Sequence, residues 1–282
     1  MEKFNSQIEV KNDGLYTPIV REWSLEKYQL VGSYCDIFTN GMKFKWDQLV
    51  YIDLFAGAGH ATIKESKKNY LNSAFTAMSI PVPFTKYILC EKDEKRFNAL
   101  SERVKRDFSH LNVELIKGDS NKNVQKVINA IPPFKKGNTL LPFCFVDPYS
   151  LNLNFSTIRA LGSTLMDFLI LQALHMDANR NIETYLKDKN TKIADYLGKS
   201  NWRELLEENG AYKNNFVKFL ADQYQEQMYQ IGYQKTKHMH HIRSNQKNLP
   251  LYYLAFYSKN PRGIDFFKKI QGYVKPQLKL DL

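Results

Sequence analysis

Short, almost wholly apolar runs alternate with amphipathic stretches from about residue 49 to residue 172. Leu49–Leu54, Lys86–Cys90 (KYILC), Val113–Lys117, Leu141–Val146 (LPFCFV) and Phe168–Gln172 (FLILQ) read as strands. Between them, Ser73–Ile80, Glu94–Phe108, Asn121–Ile131 and Ser156–Ser163 carry helical patterns, clearest in EKRFNALSERVKRDF. Strands that are apolar throughout, each followed by a helix, indicate a parallel sheet covered on both faces. Upstream, Tyr16–Asn40 shows a helical apolar pattern around Trp23, Leu25, Tyr28, Leu30 and Val31, with Gly41 as its expected stop. Residues 175–232 break the rhythm with long charged helical runs and read as a helical insert or lid. Strand character returns at Lys237–Ile242 and Pro250–Tyr257 (PLYYLAFY), an antiparallel hairpin at the sheet edge, followed by a helix over Ile264–Tyr273. The expected organisation is therefore 1–174 for the N-terminal helix and main sheet, 175–232 for the insert, and 233–282 for the closing elements.

Composition adds limits. The 282 residues suffice for a sizeable core, and at 43% apolar the chain is neither disordered nor fibrous. No run of about 18 apolar residues occurs, so no membrane span or signal peptide is expected. Three scattered cysteines without a CxxC pair argue for a reducing cytoplasm and against structural zinc or a disulfide framework. The net charge is +11, and residues 235–282 hold ten Lys/Arg against two acids. That basic region suits a polyanion such as nucleic acid, or simply a soluble surface.

Ligands of open α/β sheets bind beyond the carboxyl ends of the strands. Four such ends are polar here: D53-L-F-A-G-A-G59, E91-K92-D93, G118-D119-S120 and D147-P148-Y149. A dinucleotide fingerprint needs a third glycine and an acid about 20 residues on. Gly57-Ala58-Gly59 lacks that glycine, and Glu91 lies 32 residues beyond Gly59. No GxxxxGK[ST] phosphate loop occurs. S-adenosylmethionine fits better. Its cationic methionine end suits Asp53 and the turn Phe55, Ala56, Gly57 and Gly59. Its ribose diol suits Glu91 with Lys92, and its adenine suits Asp119 and Ser120.

The motif D-x-F-x-G-x-G at 53–59 resembles the first motif of class I methyltransferases, in the form found among nucleic-acid amino-methyltransferases. More closely, the chain resembles the three-Cys-motif partner (TcmP) proteins. The shared features are W23-S-L-E-K27-Y28, YIDLFAGAG, the acid turn at 91–93, G118-D119, F145-V-D147-P148-Y149 and L249-P-L-Y-Y-L-A-F-Y-S258-K. The resemblance implies a Rossmann-like class I methyltransferase sandwich, bacterial origin and a separately encoded protein partner with three cysteines. It also implies methyl transfer to a nitrogen of DNA or RNA, with Asp147, Pro148 and Tyr149 at the acceptor: a polar acceptor for an amine, a rigid turn and a stacking aromatic. The chain departs from the pattern twice. Asn72-Ser73-Ala74 replaces a Gly-Ser-Pro stretch, and Asp147-Pro148-Tyr149-Ser150 has one proline fewer than [DNS]-P-P-[YFW]. A non-catalytic module that binds nucleic acid or a partner on the same fold is the alternative.

Other candidates read as structural. His238, His240 and His241 lack a completing Cys or paired acids and read as an edge strand rather than a metal site. Tyr252, Tyr253, Phe256 and Tyr257 alternate as cross-strand packing, with base stacking as the second reading. His175 and Asp177 stand where the insert begins, as helix-start or substrate-facing residues. Trp23 and Tyr28 either cover the cofactor or pack on the sheet.

Overall fold

The computed structural model describes residues 4–210, 215–235, 239–243 and 250–274. Contacts divide the chain into two compact units, Met1–Phe145 with Asp265–Leu282, and Val146–Ile264. The division falls where the fourth predicted strand ends.

The first unit opens with two short strands, β1 (Glu9–Val10) and β2 (Ile19–Val20). Helix α1 (Trp23–Met42) follows, then β3 (Gln48–Asp53), β4 (His60–Ile63), β5 (Asn69–Leu71) and α2 (Ser73–Met78). Next come β6 (Lys86–Glu91), α3 (Glu94–Asp107), β7 (Val113–Lys117), α4 (Val124–Ala130) and β8 (Leu140–Val146). The main strands pair in parallel in the order β8-β3-β6-β7. Succession therefore runs outward from β3 through β6 to β7, then returns to the other side of β3. That reversal is the topological switch point of a Rossmann-like sheet, where ligand crevices form. Val50, Tyr51, Ile52 and all of β8 are buried, as strands covered on both faces require. An aromatic cluster of Tyr34, Phe38, Tyr51, Phe84 and Phe143 packs at centroid distances of 4.5–6.0 Å.

One expectation needs correction. The N-terminal helix begins at Trp23, not Tyr16, and runs through Gly41 to Met42. Residues 16–22 contain Pro18, which lacks an N–H, and they serve a sheet instead. Thr62 and Lys64 donate backbone N–H groups to the carbonyls of Pro18 and Val20, at 2.9 and 2.8 Å. The second sheet, in the order β1-β5-β4-β2, was not foreseen. Its two-residue and three-residue strands are too short to show a period.

The second unit holds α5 (Phe155–Leu161), β9 (Asp167–Gln172), a π-helical turn at Leu174–Ala178, and four helices. These are α6 (Ile182–Tyr185), α7 (Lys192–Leu197), α8 (Trp202–Glu208) and α9 (Phe216–Gln230). Its strands β10 (Met239–Arg243) and β11 (Pro250–Tyr257) form the expected antiparallel hairpin, and β11 pairs antiparallel with β9. Helix α10 (Pro261–Val274) ends the described chain, and from Asp265 on it belongs to the first unit. No helix among the described residues is long and apolar enough to cross a membrane.

Candidate site at the carboxyl ends of the parallel strands

Strands β3, β6 and β7 end side by side, which brings Asp53, Glu91 and the Gly118-Asp119 turn to one edge of the sheet. Asp53 is fully buried. Its carboxylate accepts the Phe55 backbone N–H at 2.9 Å, the Tyr51 hydroxyl at 3.2 Å and the Ser73 hydroxyl at 3.4 Å. It therefore shapes the glycine turn from beneath. Burial, with the Asp53 charge second, pushes the Tyr51 phenol well above its ordinary range, so the hydroxyl stays protonated and donates.

Gly57 and Gly59 adopt φ of +66° and +82°, a region unfavourable to other residues. A Cβ on Gly59 would meet the Phe75 ring at 2.5 Å, and one on Gly57 would meet Asn72 Nδ2 at 2.9 Å. Asn72 braces the turn twice. Its amide donates to the Ala56 carbonyl at 2.7 Å, and its oxygen caps α2 by accepting from the Phe75 N–H at 3.2 Å. The replaced Gly-Ser-Pro stretch thus retains a helix cap.

Glu91, 7% exposed, divides its carboxylate between two backbone donors. Gly57 N–H lies 2.8 Å from Oε2 and Asp93 N–H 2.7 Å from Oε1. A carboxylate offers about four lone-pair directions, so Glu91 keeps acceptor capacity for a diol. Asp93 caps α3 through the Arg96 N–H at 2.9 Å. Lys92 Nζ pairs with Asp119 Oδ2 at 3.0 Å. Burial raises the Asp119 pKa, but Lys92 and the Asn121 N–H outweigh it and leave the carboxyl below its usual range. The Ser120 hydroxyl donates to the Leu54 carbonyl and lies 3.4 Å from Cys90 Sγ. Burial pushes that thiol up to about 11, and all three cysteines are buried and free.

Arg103 and Asp13 escaped the sequence reading. The Arg103 side chain is fully buried. It donates to the Ala58 carbonyl at 2.7 Å, between the two glycines, and to the Tyr16 and Leu15 carbonyls at 3.0 and 3.3 Å. It grips the Asp13 carboxylate at 2.8 and 2.6 Å and the Thr17 hydroxyl at 2.8 Å. Arg103 holds Asp13 far below the usual carboxylate range against the opposing effect of burial. The available signal was an arginine within the apolar stripe of α3, beside Ala99, Leu100 and Val104.

In the second unit, β8 leads directly into Asp147-Pro148-Tyr149; Pro148 is buried and Tyr149 is 88% exposed. Asp177 is an internal brace, accepting from the Leu151 N–H, the Asn181 amide and the Tyr185 hydroxyl at 2.8, 2.8 and 2.6 Å. His175 stacks on Tyr253 and lies 3.0 Å from its hydroxyl. Tyr252, Phe256 and Tyr257 are buried, which favours packing over a stacking platform. In the first unit, Lys27 Nζ lies over the rings of Trp23 and Tyr28, at 5.5 and 5.1 Å. Lys237, His238, Lys247, Lys275 and Lys279 lie outside the described residues. Within the basic region, Lys259 donates to the Gly162 carbonyl at 2.6 Å, and Lys235 and Lys268 pair with Glu226 and Asp265.

No protein-family model matches the chain, and no curated protein matches it. Solved structures to which the chain shows similarity include protein LPL1258 from Legionella pneumophila, with a TM-score of 0.49 and 10% identity over 91% of this chain and 94% of that one. Trm1 from Pyrococcus horikoshii in complex with S-adenosyl-L-methionine matches at 0.45 and 9%, over 92% and 63% of the two chains. TYW2 from M. jannaschii in complex with AdoMet matches at 0.37 and 12%, over 92% and 90%.

Proposed function

We propose that the chain binds S-adenosylmethionine at the ends of β3, β6 and β7 and transfers its methyl group to a nitrogen of a nucleic acid. The observation that carries this reading is the row of acids, Asp53, Glu91 and Asp119, on three adjacent parallel strand ends around a positive-φ glycine turn. The donor set suits the ligand: a free acceptor direction on Glu91 for the ribose diol, a polar Asp119–Ser120 turn for adenine, and a turn ordered by Asp53 for the methionine end. The cofactor supplies an electrophilic methyl on a positively charged sulfur. For methyl transfer to an amine, the chain's contribution is orientation of the nucleophile. Asp147 accepts an N–H of the target amine and aims its lone pair, and Tyr149 stacks on the base. The cationic stretch 235–282 attracts the polyanionic substrate, and a separately encoded three-Cys protein is the partner that the resemblance to TcmP proteins implies. The single-proline turn at 147–150 favours the second reading, a module that binds without catalysis.

Calorimetric titration with S-adenosylmethionine and S-adenosylhomocysteine tests the cofactor site in the wild type and Asp53→Ala. Binding by the wild type and its loss in the variant supports the site; no binding by the wild type at about millimolar ligand overturns it. Tritium transfer to DNA, tRNA and rRNA, abolished by Asp147→Ala, supports the enzyme. Cofactor binding without transfer supports the module.

A further inference from the structure

A cavity of about 370 Å³ lies in the first unit, between β1, the start of β4, the end of β5, α2 and the C-terminal end of α3. It shares no lining residue with the turns at 53–59, 91–93 and 118–120. Its volume falls within the range of small-molecule sites. Val10, Leu71, Phe75 and Phe108 form an apolar wall, with the two phenylalanine rings edge to face at 4.8 Å.

One buried polar side chain, His60, stands at this wall with its ring edge-on to Phe75 and beside the Asp13 carboxylate. The His60 side chain is 6% exposed and makes no hydrogen bond among the described residues; the Asp13 carboxylate lies 3.8 Å from its Nδ1. Burial, and then the Arg103 charge, lower its pKa to about 4. At neutral pH the ring therefore has one N–H to donate and one nitrogen to accept. Asp13 at 3.8 Å is beyond hydrogen-bond distance, so a ligand acceptor can take the imidazole N–H directly.

With the buried Arg103 counted beside the lining residues, the charges here leave one cation over. Asp13 pairs with both Arg103 and Arg106, and Asp107 with Arg106 at 2.7 Å. Lys11 also lines the cavity, is exposed, and has no ion pair among the described residues. Planar apolar walls, an imidazole N–H and one surplus ammonium together select a flat body with one negative charge.

We propose that this cavity is a second ligand site, for a small aromatic carboxylate. The ring packs against Leu71, Phe75 and Phe108, and the carboxylate accepts from His60 and faces Lys11. Calorimetric titration of the full chain with 2-naphthoate, and with neutral 2-naphthamide, tests it. We expect submillimolar binding of 2-naphthoate, weakened about tenfold both in 2-naphthamide and by Lys11→Glu, and lost in Leu71→Trp. Lys11 is exposed, so its variant folds even if the Leu71 variant does not. No heat with ~5 mM 2-naphthoate, or an affinity that Lys11→Glu leaves unchanged, overturns the site.

Discussion

Glu91 Oε2 accepts the backbone N–H of Gly57 at 2.8 Å, joining the end of β6 to the glycine turn that follows β3. Its other oxygen accepts from Asp93. Both contacts need an acceptor, and a glutamine side chain has only one oxygen to give. Glu91→Gln is therefore expected to weaken S-adenosylmethionine binding at least about tenfold, measured by calorimetry, with a modest fall in Tm. Unchanged affinity would separate the turn from the cofactor.

Gly59 presses against Phe75, and its positive φ adds a second reason for glycine. Gly59→Ala should cost about 2–4 kcal/mol in denaturant unfolding, from backbone strain and overpacking together. In a double-mutant cycle with Phe75→Leu, the overpacking part should be recovered and the strain part retained. Full recovery would mean that the backbone conformation is not strained for alanine.

Replacing Arg103 by methionine keeps the length of the stem but leaves Asp13 and the Ala58 carbonyl without their donor. Breaking one side of a buried pair typically costs about 3–5 kcal/mol. The expected signature is a lowered midpoint, together with faster amide exchange at residues 56–60. A loss below about 1 kcal/mol would show that water reaches this cluster readily.

His60 sets a pH dependence of defined sign. Its folded pKa of about 4 lies below the ordinary value of 6.5, so between these values the unfolded chain binds more protons. Stability is fully present above about pH 6.5 and declines as pH falls toward 4. The loss should be about 2 kcal/mol after solvent screening, and His60→Gln should remove it from urea melts across that range. Asp167 acts in the opposite sense, because burial raises its carboxyl to about 6 against an ordinary 3.8. Its stabilising protonation is lost as pH rises through 6, so Asp167→Asn should raise Tm at pH 8 and change it little near pH 4.

Much of this was legible in the residues. KYILC and LPFCFV are apolar at nearly every position, and strands buried on both faces need that pattern. The acids at 53, 91 and 119 were legible because each ends such a run. The roles of the acids were less so. Asp53 and Glu91 spend their oxygens on neighbouring backbone and hydroxyl donors, which depends on distances across the sheet. The β4–β5 hairpin was invisible because strands of three and four residues carry no usable period. Arg103 was hidden by its charge. A buried guanidinium is unusual enough that α3 reads naturally with Arg103 in solvent, and only the acceptors from 13–17 reverse that.

The two halves of the Arg103–Asp13 clamp stand 90 residues apart in the chain. During synthesis the acidic half is made first and waits for its cation. At 5–20 residues per second that interval is roughly 5–20 s. Throughout it, the glycine turn already exists as sequence but lacks the group that grips its central carbonyl. A pause between codons 60 and 103 would lengthen that interval in proportion.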